Sequence, residues 1–393
     1  MAPTLTTNRA TQSLTFVFHP MSGIYLHIPF CRQACSYCNF HFSTSLENRD
    51  RMVTAIRQES EWQRQYLTTP VETVYWGGGT PSLLSEENLA SLMTGIRENF
   101  ILEPAAEITL EANPDDISPA SLAAWRRIGI NRLSVGIQAF QASELAWMNR
   151  AHSAAQAWQC IPLAQEAGFT NISVDLIYGS PGLSDQDLAD NLEKVISLKI
   201  PHISCYALTV EPRTALAHRI KKGELPETDP DKQANQFYHL LNRLELAGYE
   251  GYEISNFALP GCRSRHNSSY WQGVPYLGLG PSAHSYNGHT RQWNIANNQL
   301  YLSAISQGRI PFESEVLTPD QQLNEYIMTG LRTLEGCSLA LIEQKWGTAK
   351  KEAVLEDASR FLHTGQLTQK NDRLLLTKEG KFMADGIAAA LFQ

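Results

Sequence analysis

Between residues 23 and 208 six short β-rich runs alternate with helix-length amphipathic stretches, and that alternation leaves few folds open to the chain. The runs are GIYLHI (23 to 28), TVYW (73 to 76), EITLEA (107 to 112), RLSVGI (132 to 137), ISVDLIY (172 to 178) and HISCYAL (202 to 208). Between them lie segments such as SEENLASLMTGIREN and SPASLAAWRRIG, the second opening on a Ser cap and closing on Gly129. Repeated strand-helix units predict a parallel sheet covered by helices, either closing most of a barrel or lying open and doubly wound. A chain of 393 residues, 43% hydrophobic, can supply a core for one large or two ordinary domains. The first 22 residues are Thr-rich and aperiodic, and read as an N-terminal tail unless translation starts at Met21.

In a parallel α/β sheet, ligands sit beyond the carboxyl ends of the strands. Here those ends carry unusual residues. The first strand runs into a cysteine-rich loop and the second into GGGTPS; the third ends near Glu111, the fourth at Gln138, and the fifth carries Asp175. Singly, Glu111 reads as a surface or capping carboxylate, Gln138 as a turn amide and Asp175 as a structural acceptor. On one rim together they predict a ligand site. In GGGTPS the absence of side chains at Gly77, Gly78 and Gly79 lets backbone amides approach a ligand, while Thr80 and Ser82 are expected to cap the helix that follows. The run lacks the lysine of a phosphate-binding P-loop, and a tight strand-to-helix turn is the plainer alternative.

The cysteine-rich loop, CRQACSYCNF, holds Cys31, Cys35 and Cys38 within eight positions. An odd total of seven cysteines argues against a fully paired disulfide framework. The spacing also fits one face of a helix, but Pro29 disfavours a helix running through. A structural zinc site would need a fourth ligand, such as His27, His41 or a distant cysteine. A 4Fe-4S cluster held by three cysteines leaves one iron open to an exogenous ligand.

CRQACSYC resembles the CxxxCxxC signature of the radical S-adenosylmethionine (SAM) superfamily. With YLHIPF, VYWGGGTPSLL, EANP, LSVGIQAF, MNRAH, VDLIYGSPG and GLGPSAHSY, the chain from Gly23 onward is similar to the anaerobic coproporphyrinogen III oxidase family. The resemblance implies an α/β fold built on a partial TIM-like barrel of six βα units. It implies a 4Fe-4S cluster on Cys31, Cys35 and Cys38 whose open iron binds SAM. It further implies that Tyr25 and Tyr37 flank the cluster loop and that Gly78, Gly79 and Thr80 meet the methionine moiety. Glu111, Gln138, Arg150 and Asp175 would make polar contacts to SAM, and Ala207 would lie by the adenosine. Arg150 would otherwise read as an ordinary helix-surface charge.

Within that family the oxidases carry another cysteine two positions after the third, where this chain has Phe40, and a longer N-terminal segment. Both departures resemble the HemW subgroup, the heme chaperones that pass heme to acceptor proteins. RHNSSYW, with His266, Asn267, Tyr270 and Trp271, resembles that subgroup's HNxxYW heme-associated motif and implies His266 as a heme ligand; a polar turn packed by aromatics is the alternative. His284, in SAHSY, stands where the oxidase has an apolar residue that touches a second SAM. The function expected is heme chaperoning, with heme or porphyrin, a heme-acceptor protein and an electron donor for the cluster as partners. Oxygen-independent oxidative decarboxylation of coproporphyrinogen III is the alternative activity, and a zinc-dependent regulator a third.

Four regions are expected: a tail (1 to 22), the core barrel (23 to 225), a barrel-completing region with the heme motif (226 to 311), and a mostly helical, winged-helix-like C-terminal domain (312 to 393). The last has nine Lys and Arg against twelve Asp and Glu, and the whole chain carries a formal charge of -8, which argues against nucleic-acid binding. No run approaches the length of a membrane span, so a cytoplasmic protein is expected. Cys160, Cys205, Cys262 and Cys337 share no spacing and read as packing residues, with Cys262 close enough in sequence to His266 to lie near a heme.

Overall fold

The computed structural model describes residues 21–393; the expected tail, apart from its last two residues, lies outside the described residues. The barrel half runs β1 (Ser22–Ile28), α1 (Arg49–Trp62), β2 (Val71–Gly78), α2 (Glu86–Asn99), β3 (Leu102–Ala112), α3 (Pro119–Ile128), β4 (Arg132–Gln138), α4 (Ala142–Trp147), α5 (Ala154–Glu166), β5 (Asn171–Tyr178), α6 (Asp185–Ser197) and β6 (His202–Ala207). These six strands are parallel and adjacent in chain order. Each predicted run is a strand with one apolar, fully buried face, Ile24, Leu26 and Ile28 in β1 or Val74 and Trp76 in β2, which packs into the main hydrophobic core. Ser118 caps α3 by accepting from the amide of Ser121, and Gly129 ends it with a left-handed φ of 101°.

The sheet does not stop at six strands. After α7 (Ala215–Lys221) and α8 (Pro230–Leu246), β7 (Glu250–Gly251) and β8 (Asn256–Ala258) extend it antiparallel beyond β6. Beyond α9 (Arg265–Trp271), β9 (Tyr276–Leu279) pairs parallel with β1. There β10 (His284–Tyr286), β11 (Thr290–Asn294) and, after α10 (Asn298–Ser306), β12 (Phe312–Val316) continue antiparallel. The result is one twelve-stranded sheet. Phe312–Val316 therefore belongs to this sheet and not to the C-terminal unit, because it pairs residue by residue with β11, Glu315 opposite Arg291.

The C-terminal unit has its own core, built from residues such as Leu323, Ile327, Ile342, Val354 and Leu374. Its order is α11 (Pro319–Arg332), β13 (Cys337–Ser338), α12 (Leu339–Trp346), α13 (Thr348–His363), the hairpin β14 (Leu367–Lys370) and β15 (Arg373–Leu376), then α14 (Lys378–Lys381) and α15 (Ala384–Ala390). Helix, strand, two helices and a hairpin make the winged-helix order. Arg332 docks it to the large sheet, pairing with Glu253 at 2.9 Å and lying 5.3 Å over the Trp271 ring. No helix among the described residues is long and apolar enough to cross a membrane.

One carboxylate ties the sheet extension to the barrel. Glu59 of α1, fully buried, accepts from the Gly280 amide at 2.7 Å, Asn294 Nδ2 at 2.6 Å and the Tyr301 hydroxyl at 2.6 Å. Burial outweighs these hydrogen bonds and pushes its carboxyl up to about 7 from an ordinary 4.5. The folded state then binds a proton that the unfolded chain releases near 4.5, so this group's contribution falls as pH rises from 4.5 to 7, by up to about 3 kcal/mol. Glu59→Gln is expected to remove that part of the pH dependence, read as a flatter midpoint-against-pH curve in urea unfolding. Glu59→Ala, which strands three buried donors, is expected to lower stability at every pH by on the order of 3 kcal/mol.

Candidate functional site

The cysteine segment after β1 is a loop and not a helix. Its backbone is held at both ends: Cys31 N donates to the Ser43 carbonyl at 3.0 Å, and Ser36 N to that of Met148 at 3.0 Å. Cys31, Cys35 and Cys38 are half-buried and face one cavity of about 460 Å³ at the carboxyl ends of the strands. Burial pushes the Cys31 thiol up to about 11 and raises that of Cys38 as well. The histidines proposed as a fourth zinc ligand lie elsewhere. Both line a neighbouring cavity, His27 with Nε2 against the His41 carbonyl and His41 with Nε2 against Asn298. Among the described residues no histidine or further cysteine lines this cavity, and the three thiols fit a 4Fe-4S cluster with one iron left open.

Facing the thiols, the same cavity is walled by Tyr37, Gly78, Gly79, Thr80, Glu111, Gln138, Arg150, Asp175 and Ala207. The glycine turn is there because nothing larger fits. Gly78 has φ +102°, and a Cβ on Gly79 would come within 2.6 Å of the Phe30 carbonyl oxygen. Gly79 N donates to the Ile28 carbonyl at 2.9 Å and Thr80 N to that of Phe30 at 2.7 Å, so the turn at the end of β2 is sewn to the cluster loop.

The expectation that Thr80 and Ser82 cap the next helix is not met. Thr80 Oγ1 donates to Cys31 Sγ at 3.5 Å, Ser82 donates to Asp116 at 2.6 Å, and the cap of α2 is Ser85. Site geometry takes these hydroxyls instead.

Glu111 accepts from the Tyr75 hydroxyl at 2.8 Å, and desolvation pushes its carboxyl up to about 7; Asp175 is pushed up to about 6 for the same reason. Gln138 holds a left-handed φ of 67°, a conformation that a non-glycine residue keeps only where its surroundings impose it. Arg150 is far from a surface charge. It follows α4 through Asn149, itself at φ 56°, turns inward, and lies 3.3 Å from Cys35 Sγ, 2.6 Å from Asn113 Oδ1 and 2.7 Å from the Gly136 carbonyl. Its Nε is buried and has no partner among the described residues, a donor left over for a ligand. Asn113, in the EANP run, also reaches Thr80 and is an organising residue that strand-end reasoning passed over.

Tyr25 is the exception among the expected SAM contacts. Its hydroxyl meets His27 Nδ1 at 3.2 Å, and its ring lines the neighbouring cavity. That cavity holds about 890 Å³ between β1, α9, β10 and the C-terminal unit. Asn39 and Phe40 line both cavities, and Phe40, 68% exposed, stands on their border.

The Radical SAM superfamily model matches residues 25–195 and the HemN C-terminal domain model residues 317–383. The heme chaperone HemW of Mycobacterium tuberculosis is 39% identical over 375 residues, 94% of each chain, and that of Bacillus subtilis 33% identical over 379 residues, 94% of this chain and 99% of the other. This chain belongs to the HemW family. The solved structure of coproporphyrinogen III oxidase HemN from Escherichia coli, a radical SAM enzyme, shares its fold, with a TM-score of 0.84 over 95% of this chain and 91% of that one at 24% identity. Radical SAM membership implies SAM and a 4Fe-4S cluster, which the donor set of the smaller cavity fits.

In this HemW family member the HNxxYW stretch is α9, and it does not present its histidine. His266 is buried: Nδ1 meets Thr73 Oγ1 at 2.7 Å, Nε2 meets the Tyr270 hydroxyl at 2.9 Å, and the ring stacks on Tyr75 at 4.9 Å. Neither nitrogen is free for iron, so its expected role as a heme ligand is not supported. Desolvation lowers its imidazole to about 3, so it stays neutral in the interior. Asn267 lines neither cavity, whereas Tyr270 and Trp271 form part of the wall of the larger one. Cys262 lines neither and sits apart.

Gly79→Ala is expected to leave helix content unchanged by circular dichroism but to abolish stable iron and sulfide incorporation, because the added methyl pushes Phe30 and its loop out of place. SAM binding is expected to weaken as pH falls through about 7, since protonation of Glu111 removes a negative partner for a cationic ligand. Calorimetric titration of SAM across that range checks this, and Glu111→Gln should bind weakly and lose the step near 7, keeping only what Asp175 contributes near 6.

Proposed function

We propose that the chain takes up heme in the larger cavity and passes it to an acceptor protein, while the smaller cavity holds a SAM-coordinated 4Fe-4S cluster. One observation carries the reading: a chain 39% identical to a heme chaperone has, beside its cysteine cavity, a second one of about 890 Å³ walled by Tyr25, Tyr270, Trp271, Tyr276 and Tyr286. That volume is within the roughly 300–1,000 Å³ range of ligand pockets, and aromatic walls suit a flat macrocycle.

In this reading Cys31, Cys35 and Cys38 hold the cluster, and Arg150 fixes Cys35 and offers its unpaired Nε to the SAM carboxylate. Glu111, Gln138 and Asp175 take the polar groups of SAM, and Ala207 leaves room for the adenosine. When bound, the pair supplies one-electron chemistry, for which an electron donor is needed. Tyr270 and Trp271 are the members of the HNxxYW motif that reach the heme, and His266 fixes Tyr270 from behind.

Phe40 in the place of the oxidase's additional cysteine weighs against decarboxylation of coproporphyrinogen III. Anaerobically reconstituted protein is expected to bind heme stoichiometrically in an absorbance titration and to form no protoporphyrinogen from coproporphyrinogen III and SAM. Product formation without heme uptake would mean that the chain is an oxidase.

A further inference from the structure

Four histidines that lie in or beside the larger cavity differ in what their rings are doing. His27 and His266 have both nitrogens engaged, and His41 commits Nε2 to Asn298. His284 does not. Its imidazole is exposed to the cavity, stacks on Trp293 at 6.1 Å, and among the described residues has no hydrogen-bond partner. Strand pairing fixes its backbone, with His284 opposite Trp293 and Tyr286 opposite Arg291. Partial burial and the charge of Arg291 lower its imidazole below the ordinary value, which keeps it neutral and able to donate to a metal.

The surroundings match the rest of a metalloporphyrin. Trp271 and Tyr286 offer flat apolar faces, and Trp271 Nε1 is buried with no acceptor among the described residues. Arg291, paired with Glu325 at 2.6 Å, and Lys345 supply two cations on the cavity wall. A heme has two propionates to place.

We propose that His284 is the axial ligand of the heme in this cavity, with Arg291 and Lys345 receiving the propionates. The assignment rests on the heme-binding reading above and moves the iron ligand from the HNxxYW helix to β10.

The test is ferric heme titration of the full-length reconstituted protein as wild type, His284→Ala and His41→Ala, followed by the Soret band and by electron paramagnetic resonance. The wild type is expected to give a histidine-ligated signature. His284→Ala should lose it and bind heme at least roughly ten-fold more weakly, and added imidazole should restore the signature. His41→Ala, which alters the cavity wall but not the assigned ligand, should keep the histidine-ligated signature. Wild-type spectrum and affinity in His284→Ala, loss of the signature in His41→Ala instead, or a defect that imidazole does not repair would each overturn the assignment while leaving heme uptake standing. No heme uptake by the wild type would overturn the heme-binding reading and this assignment with it.

Discussion

The close approach of the glycine turn after β2 to the cysteine loop after β1 is the contact on which the rest of the site depends. Two backbone hydrogen bonds, from Gly79 to the Ile28 carbonyl and from Thr80 to that of Phe30, join them with no room for a Cβ between. From that junction Thr80 reaches Cys31, and Asn113 links Thr80 to Arg150, which reaches Cys35. The ends of β1, β2 and β3, and Arg150 beyond α4, are thereby tied to one loop. The thiols are positioned by the sheet, so their spacing in sequence needs no helix to make it useful.

The interior behind that junction is unusually rich in titratable groups. Desolvation pushes Glu111 to about 7 and Asp175 to about 6, and lowers His266 to about 3. All three shifts run against the charged form, so that without a ligand Glu111 is only partly ionised near neutral pH. A cationic ligand with hydrogen-bond donors reverses that balance at the rim, where the acids face the cavity, and leaves His266, behind Tyr270, unaffected.

Much of this was legible in the sequence. All six parallel strands lie where β-rich runs end in turn residues, because the buried face of each strand demands an apolar residue at every second position. Cys31, Cys35, Cys38, Glu111, Gln138 and Asp175 face one cavity because strand ends must converge there. The inward turn of Arg150 was not legible from strand-helix pattern, since it depends on a left-handed Asn149 and on partners far away in sequence. His266 shows the limit of a motif. Its type and spacing suggest a ligand, but its helix lies against β2, and Thr73 and Tyr270 take both nitrogens. Nor does FESEV announce its strand, since it is itself the edge of the sheet, paired with β11 alone among the described residues, and its residues are mostly exposed.

The larger cavity is a seam between two separately cored units, one wall from the twelve-stranded sheet and the other from α11 and α12. Across it run the Arg291–Glu325 and Arg332–Glu253 ion pairs and the Arg332 stack on Trp271. Each hydrophobic core closes on its own side of this seam, and the units are joined further along their border by the Leu334–Tyr252 backbone bond, the Arg263–Glu335 pair and the Phe237–Phe382 ring contact. A flat guest taken up there, as proposed, would lie on the border between the units, and a receiving protein would have to reach it along that line.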